Sequence, residues 1–275
     1  MTRRTFYFWT YLAAGILALI SLFPFAWMLI SSFKELGELY TVPPTWWPDN
    51  PTLANYTKVL TNSNIPRYFL NSLVISAGST GLALAVAIFS AYGFARFRFR
   101  GRMGLQTAVL ATQMLPTAVV IVPLFIVLRT LGLLNTYLGL ILVYLILTLP
   151  LSVYMLTSYF RSIPRELDEA AIIDGATHVG VLFRITLPLS LPGIAATLIY
   201  CFVTTWNEFI FALSFALDSR VKTLPIGLAE FSTEFATDWG AVMAASVVMS
   251  LPIAALFLAL QRFFVGGLTA GATKG

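Results

Sequence analysis

One polar segment interrupts an otherwise apolar chain, and from Arg161 to Pro188 it reads RSIPRELDEAAIIDGATHVGVLFRITLP. It contains four of the twelve acidic residues, three arginines and the single histidine, His178. Pro164 suits the first turn of a helix, because its missing N–H would have no partner there. Acidic side chains just after it would face the positive end of the helix dipole. The sequence therefore predicts a short charged helix that begins near Pro164.

This predicted helix has one face of mostly small side chains. Residues at steps of three and four share a helix face, and here they are Leu167, Ala170, Ala171 and Asp174. The face ends at Gly175, and small residues allow another surface to approach the backbone closely. We interpret the polar segment, residues 161–188, as a helix–glycine–helix unit that a partner binds.

The composition indicates a membrane protein. Of the 275 residues, 58% are hydrophobic and 11% are charged, whereas soluble domains carry roughly 25% charged residues. The single cysteine, Cys201, lies in an apolar run, so no disulfide framework is expected. The net charge of +5 comes from basic residues that separate apolar segments, which indicates membrane topology rather than nucleic-acid binding.

Six apolar segments are long enough to cross a bilayer, which requires about 20 residues. Their approximate limits are 8–30, 68–94, 103–128, 138–160, 191–217 and 241–264. Backbone polar groups in lipid must pair within their own segment, so these spans are expected to be helices. We expect the first span to be uncleaved, and residues 1–275 to form one transmembrane domain. The predicted fold class is an all-α integral membrane protein.

The distribution of Lys and Arg predicts the orientation. Eleven of the 17 basic residues fall on one side of the predicted spans and six on the other. The richer side includes the short loop 96–102, where the positive-inside rule is most informative. The N- and C-termini and the polar segment are therefore expected on the cytoplasmic side of the cytoplasmic (inner) membrane.

Two longer loops fall on the opposite side. Residues 31–67 contain Trp46 and Trp47 among several prolines, which fits an interfacial aromatic belt or a partner contact. Residues 218–240 are acidic, and their composition leaves an ordinary surface loop and a docking loop equally open.

A few polar residues within the spans are candidates for a translocation pathway: Asn71, Thr205, Asn207 and Glu208. Ionisable residues inside membranes usually face the bundle interior or a water-filled path. Glu208 could equally be paired structurally with a neighbouring polar group. Several spans contain proline, which either shapes packing or bends helices around a cavity: Pro24, Pro116, Pro123, Pro150 and Pro252.

No motif for soluble chemistry is present. The chain has no Gly-x-x-x-x-Gly-Lys-Ser/Thr loop for nucleotide phosphates. One histidine and one cysteine cannot form a metal site of the His- or Cys-rich kind. We predict no catalytic residue, no metal site and no cofactor bound by this chain.

The polar segment carries a specific motif, in which Glu169-Ala170-Ala171 is followed by Gly175 and then by Ile185-x-Leu187-Pro188. This pattern resembles the EAA signature of permease subunits of ABC importers. Two further stretches look like the carbohydrate-importing branch of that family: 206–209, Trp-Asn-Glu-Phe, and the glycine-rich ending 267–271. The resemblance covers nearly the whole chain, which looks most like the six-span partner of a maltose-type permease pair.

The resemblance implies a type I ABC importer permease fold in which the polar segment docks on a separate ATPase. The residues it assigns to this coupling are Glu169, Ala170, Ala171, Asp174, Gly175, Ile185, Leu187 and Pro188. It implies that ATP and Mg are bound by the partner ATPase. The implied partners are a second permease subunit forming a heterodimer, two copies of a cytoplasmic ATPase, an extracytoplasmic solute-binding protein and membrane lipid.

The implied function is import of a sugar or oligosaccharide by alternating access, with loop 218–240 reaching the binding protein. Another solute, such as a glycerol phosphodiester or an amino acid, is an alternative. A phosphorylated substrate would favour Arg or Lys within the spans, and none lies mid-span. An ion-coupled carrier working alone should show matched broken half-helices, and a membrane enzyme should show clustered catalytic side chains.

Overall fold

The computed structural model describes residues 3–233 and 236–272, with side chains described as far as Phe263. The glycine-rich ending 267–271 is thus described only as backbone. The α-helices in chain order are α1 (Arg3–Ser32), α2 (Ala54–Thr61), α3 (Ile65–Arg96), α4 (Arg102–Ala111), α5 (Thr117–Thr130), α6 (Tyr137–Ser162), α7 (Glu166–Ile173), α8 (His178–Val181), α9 (Leu187–Leu189), α10 (Leu191–Trp206), α11 (Ile210–Phe215), α12 (Leu224–Ala229) and α13 (Trp239–Ala272).

Four of these helices are individually long and apolar enough to cross a membrane: α1, α3, α6 and α13. Two bent helix pairs raise the number of candidate spans to six if each pair counts as one. One pair joins residues 102–114 to α5, and the other joins residues 178–189 to α10.

The expected third span, residues 103–128, consists of two helices rather than one. α4 ends at Ala111, a 3₁₀ turn continues to Met114, and α5 begins at Thr117 with its axis bent by 98°. Pro116 is the break, because the residue before a proline is driven out of the helical conformation. Leu115 accordingly has an extended backbone, with ψ of 125°.

The expected fifth span, residues 191–217, also differs from a continuous helix. α10 ends at Trp206, residues 207–209 leave the helix, and α11 resumes at Ile210. At its other end α10 meets residues 178–189 at an angle of 80°. Both bends fall where polar residues interrupt the apolar pattern.

By its contacts the chain divides into two compact units, residues 1–66 with 227–251 and residues 67–226 with 252–275. The second unit is built around α6, which packs against α10, α11 and α4. One buried cluster joins α6 to α3, including Ala87, Ala91, Val153, Leu156 and Phe160. Another joins α6 to α5 and α11, including Leu128, Val143, Tyr144, Phe211 and Phe215.

In the first unit, the loop after α1 is folded around a buried lysine. The ammonium group of Lys34 donates to the Thr45 carbonyl and lies 4.8 Å from the Trp27 ring centroid. The Asn55 carboxamide of α2 donates to the Ser32 and Lys34 carbonyls at 3.0 and 2.8 Å. Residues 31–67 are therefore an ordered structure, on which Trp46 and Trp47 remain exposed.

Candidate functional site

The polar segment forms a helix, a tight turn and a second helix. α7 ends with a Schellman turn, in which the Gly175 N–H donates to the Ile172 carbonyl at 3.0 Å and the Ala176 N–H to the Ala171 carbonyl at 2.9 Å. Gly175 has φ of +87°, in the left-handed region that side chains with a Cβ disfavour. This conformation gives a reason for glycine that the sequence interpretation, based on a small docking face, did not include.

A buried ion pair fixes the polar segment to the end of α3. Arg96 Nε lies 2.5 Å from Asp168 Oδ2, and the two side chains are 7% and 9% exposed. The same guanidinium donates to the Ile163 carbonyl at 3.2 Å, and Arg165 donates back to the Ala95 carbonyl at 2.9 Å. These contacts hold α7 against the carboxyl end of α3.

Sequence reasoning missed this pair. It interpreted Arg96 as a topology signal and Asp168 as a residue stabilised by the helix dipole. The available signal was the spacing within α7: Asp168 points away from the face that carries Ala170 and Asp174. A buried acid on a short exposed helix requires a basic partner.

The residues predicted for coupling divide into an exposed and an inward group. Glu169, Ala170, Asp174, Gly175 and Pro188 are exposed, whereas the others are at least partly buried: Ala171, Ile185 and Leu187. The exposed surface of α7 also includes Ile172 and Ile173, the latter 86% exposed, and these were not predicted. α7 thus presents a surface that is both acidic and apolar.

The second half of the motif attaches the segment to the helical bundle. Ile185 lies in a π-helical turn, Leu182–Thr186, and Leu187 packs against the buried cluster between α3 and α6. π turns occur mostly as single turns inside helices and often at functional sites. One motif therefore supplies both an exposed surface and its anchor.

The predicted pathway residue Asn71 lies in a structural network. Its carboxamide donates to the Arg220 and Lys222 carbonyls at 3.1 and 2.8 Å and accepts from the Tyr137 hydroxyl at 2.6 Å. Asn71 is buried. These bonds connect α3 and α6 to the loop that follows α11.

Glu208 caps the broken fifth span. Its two carboxylate oxygens accept from the backbone N–H groups of Phe211 and Ala212 at 2.9 and 3.1 Å. A carboxylate at a helix N-terminus satisfies N–H groups that would otherwise lack partners. These two hydrogen bonds are the kind of structural pairing that the sequence left open for Glu208.

The two neighbouring candidates lie on α10 or just after it. The Thr205 hydroxyl donates to the carbonyls of Cys201 and Phe202 and is buried. The Asn207 carboxamide donates to the Val203 carbonyl at 2.8 Å, although the residue is exposed. Thr205, Asn207 and Glu208 lie together at the end of α10, whereas the hydrogen bonds of Asn71 go to Tyr137 and to the loop after α11.

Loop 218–240 begins with a charged turn. Arg220 donates to Asp218 Oδ2 at 2.9 and 2.6 Å, and these hydrogen bonds lower the pKa of Asp218 to about 2. The folded pKa is below the usual value of about 3.9, so the stabilisation is present above that value and is lost as the pH falls toward 2. The charge of this turn is therefore constant between pH 5 and 8. Glu234 of the same loop lies outside the described residues.

No group of three His, Cys, Asp or Glu side chains that could hold a metal ion occurs in the part of the chain that the structure describes. The distinctive features are a motif-bearing surface on α7 and two interrupted spans. Interrupted helices are tolerated at membrane depth where protein buries the broken backbone or where it lines a water-filled cavity.

Comparison with known proteins identifies the class. The family model for the inner membrane component of binding-protein-dependent transport systems matches residues 81–269, and the chain belongs to this family. It is a permease subunit of an ABC transporter. The all-α membrane fold predicted from the sequence is confirmed.

Similar proteins cover almost the full chain. The sulfoquinovosyl glycerol transport system permease protein of Agrobacterium fabrum is 40% identical over 96% of this chain and 93% of its own. The trehalose/maltose transport system permease protein of Thermococcus litoralis is 40% identical over 96% and 95%. The fold matches a chain of a bacterial ABC transporter involved in import of the acidic polysaccharide alginate, with a TM-score of 0.80, 21% identity and coverage of 96% and 99%.

Proposed function

We propose that this permease imports a sugar or short oligosaccharide across the cytoplasmic membrane, and that a separate ATPase drives it through the polar segment. The observation that carries the proposal is the α7 surface with its EAA motif, held to α3 by the buried Arg96–Asp168 pair. The sugar class is supported by the relatives, which are named for a sulfoquinovosyl glycoside, for trehalose and maltose, and for diacetylchitobiose.

The proposed drive is mechanical. ATP binding closes two copies of the ATPase, and the docked α7 surface moves with them. Because Arg96 and Arg165 connect that surface to the carboxyl end of α3, the motion reaches a membrane span directly. The transport pathway between the two permease subunits then alternates between inward- and outward-facing states, and ATP hydrolysis by the ATPase resets the cycle.

The remaining partners follow from the same proposal. A second permease subunit forms a heterodimer with this chain and completes the pathway. The apolar stretch of α1 is not buried within this chain, so it is a surface for that subunit or for lipid. The distribution of basic residues supports a cytoplasmic position for the polar segment and both termini. An extracytoplasmic binding protein delivers the sugar, and loop 218–240 contacts it.

The proposal assigns pathway lining to the broken fifth span. Asn207 is exposed at the break and Glu208 follows it, so both are placed to border a water-filled path. The other two proposed pathway residues are Thr205, on α10 just before the break, and Asn71, which donates to the loop after α11.

The test is ATP-dependent uptake in proteoliposomes that contain the complete transporter and its binding protein. The substrates tested are the four sugars for which the relatives are named: sulfoquinovosyl glycerol, trehalose, maltose and diacetylchitobiose. We expect uptake of at least one sugar, dependent on ATP inside the vesicles.

Ala170→Asp tests the drive in the same assay, because Ala170 is exposed and its change leaves the backbone unstrained. We expect uptake to fall to background with the complex still able to form. Ala54→Asp, at an exposed alanine on α2, is the matched control and should transport normally. Normal uptake by Ala170→Asp, with the ATPase bound normally, would contradict the coupling role.

A further inference from the structure

A cavity of about 390 Å³ opens beside the break in the third span. Its walls come from the α4–α5 break, from α6 and from the two parts of the broken fifth span, α10 and α11. Side chains that line it include Gln113, Thr117, Val143, Leu147, Tyr200 and Phe211. None of these is among the four pathway residues predicted from the sequence, although the Phe211 N–H donates to the Glu208 carboxylate. The cavity therefore borders the break in the fifth span.

The break between α4 and α5 restricts what can surround the cavity, because its backbone groups need hydrogen-bond partners. The end of α4 and the start of α5 leave carbonyl and N–H groups without helical partners. Within the hydrocarbon region such backbone is tolerated only where protein buries it or where it lines a water-filled cavity. Residues 111–116 are exposed in this chain, so in the assembled transporter these groups meet water, a polar ligand or the second permease subunit.

Polar side chains gather at the same place. Gln113 Nε2 donates to the Leu147 carbonyl at 3.2 Å, which fixes the carboxamide at the cavity wall. The Tyr200 hydroxyl lies next to the Gln113 carboxamide and the Thr204 hydroxyl. Thr112 and Thr117 add two more hydroxyl groups. Together they form a set of neutral donors and acceptors.

The cavity is uncharged and otherwise apolar. Of the described residues that line it, none carries a charge. Val143 and Phe211 provide apolar walls, and Tyr200 contributes an aromatic ring. The volume falls in the range of roughly 300–1,000 Å³ that small-molecule sites occupy. Neutral hydrogen-bonding groups beside an aromatic and aliphatic wall complement a sugar ring, which carries hydroxyl groups at its edge and C–H groups on its faces.

We propose that this cavity is the sugar-contact site of this subunit, with Gln113 and Tyr200 as the specificity-determining residues. The inference rests on the proposed function and adds to it, because it assigns substrate contact to this chain and to the third span. The absence of charge among the lining residues assigns neutral glycosides as the ligand class. A lipid chain or a side chain of the second permease are the competing occupants.

The first experiment asks whether water reaches the cavity. In a Cys201→Ala background, single cysteines are placed by Gln113→Cys, Thr117→Cys and Val122→Cys in the complete transporter. Val122 is 64% exposed on α5 and does not line the cavity. We expect a membrane-impermeant, charged methanethiosulfonate reagent to label positions 113 and 117 at least about tenfold faster than position 122, because thiols in lipid do not ionise readily. Equal, slow labelling at all three positions would mean that lipid or the second permease fills the cavity, and would overturn the proposal.

The second experiment measures transport. Gln113→Leu and Tyr200→Leu are compared with Tyr154→Leu, a control on α6 whose side chain is 47% exposed and does not line the cavity. The assay uses the four sugars and the complete transporter in proteoliposomes, and records uptake and binding-protein-stimulated ATP hydrolysis. We expect uptake per ATP to fall roughly tenfold in both cavity variants, as loss of one or two hydrogen bonds predicts, with stimulated hydrolysis retained and with the control unchanged.

The two proposals fail differently. If the unmodified transporter imports none of the four sugars, the proposed function is contradicted and this inference falls with it. If the unmodified transporter imports a sugar and both cavity variants match it in uptake per ATP, only the cavity assignment is overturned. Import of the sulfonated sulfoquinovosyl glycerol alone would likewise overturn only the cavity assignment, because that sugar is charged.

Discussion

Arg96 and Asp168 determine where the exposed surface of α7 lies. The pair is almost fully buried, with its atoms 2.5 Å apart. Removing one partner of a buried pair leaves the other charge uncompensated, which costs about 3–5 kcal/mol. The pair is thus better understood as a device that positions α7 than as a source of net stability.

Asp168→Asn tests this role. We expect it to loosen α7 from α3, lowering both ATP-driven uptake and the thermal stability of the purified complex, because Arg96 then remains buried without a counter-charge. Glu166→Gln is the matched control, since Glu166 is exposed in the first turn of the same helix and is not among the residues assigned to coupling. Equal behaviour of the two variants in uptake and thermal unfolding would show that the pair does not position the helix.

Two substitutions at Gly175 can show whether glycine is required for its backbone conformation or for its lack of a side chain. An ordinary residue in the left-handed conformation costs about 1–2 kcal/mol, whereas asparagine adopts it more readily. Gly175→Ala should therefore reduce uptake more than the larger Gly175→Asn. The reverse order, measured in the same vesicles, would assign the requirement for glycine to close packing against the ATPase.

For individual residues, the sequence predicted the EAA motif but not the contacts and the backbone conformation that hold it in place. The EAA pattern identified Glu169 and Gly175 from spacing alone. It could not identify the partner of Asp168, because Arg96 is distant in the chain and only tertiary structure brings the two together. The positive φ of Gly175 is likewise a property of the turn, which small side chains on the preceding face do not reveal.

At the scale of elements, the main departures from expectation are the two interrupted spans. Five prolines were candidates for bending, yet Pro24, Pro123, Pro150 and Pro252 lie inside helices. Of the five, Pro116 lies at a break, and it follows a 3₁₀ turn formed by Thr112, Gln113 and Met114. The length of an apolar segment shows that it can cross the membrane but does not show where the helix is interrupted. The sequence therefore predicted these two spans as continuous helices.

Glu208 tests the purpose of the second break. Its carboxylate accepts two backbone hydrogen bonds at the start of α11, and the loss of a cap costs about 0.5–2 kcal/mol. Glu208→Gln keeps one carboxamide oxygen as an acceptor and should retain part of the stability that Glu208→Ala loses. If Glu208 also lines the pathway, uptake should fall in both variants by more than the change in thermal stability explains. Uptake that follows stability alone would leave Glu208 with a structural role only.

For the whole molecule, composition was sufficient for the fold class. The deficit of charge and the length of the apolar segments predicted an all-α membrane protein, and the family model matching residues 81–269 agrees. Composition could not predict surfaces that other chains cover. The exposed Ile173 on α7 and the unburied apolar window of α1 become interpretable only when the protein is considered as one subunit of a larger transporter.

We propose that α7 is the surface on which an external ATPase acts on this permease. Photo-crosslinking of the assembled transporter tests it most directly, with a benzophenone amino acid at position 170 and, as control, at position 154 within α6. We expect light to join position 170 to the ATPase subunit, identified by mass spectrometry, and to join position 154 to lipid or to the second permease. A complex that contains the ATPase yet gives no ATPase crosslink from position 170, or gives one to the binding protein, would contradict the account.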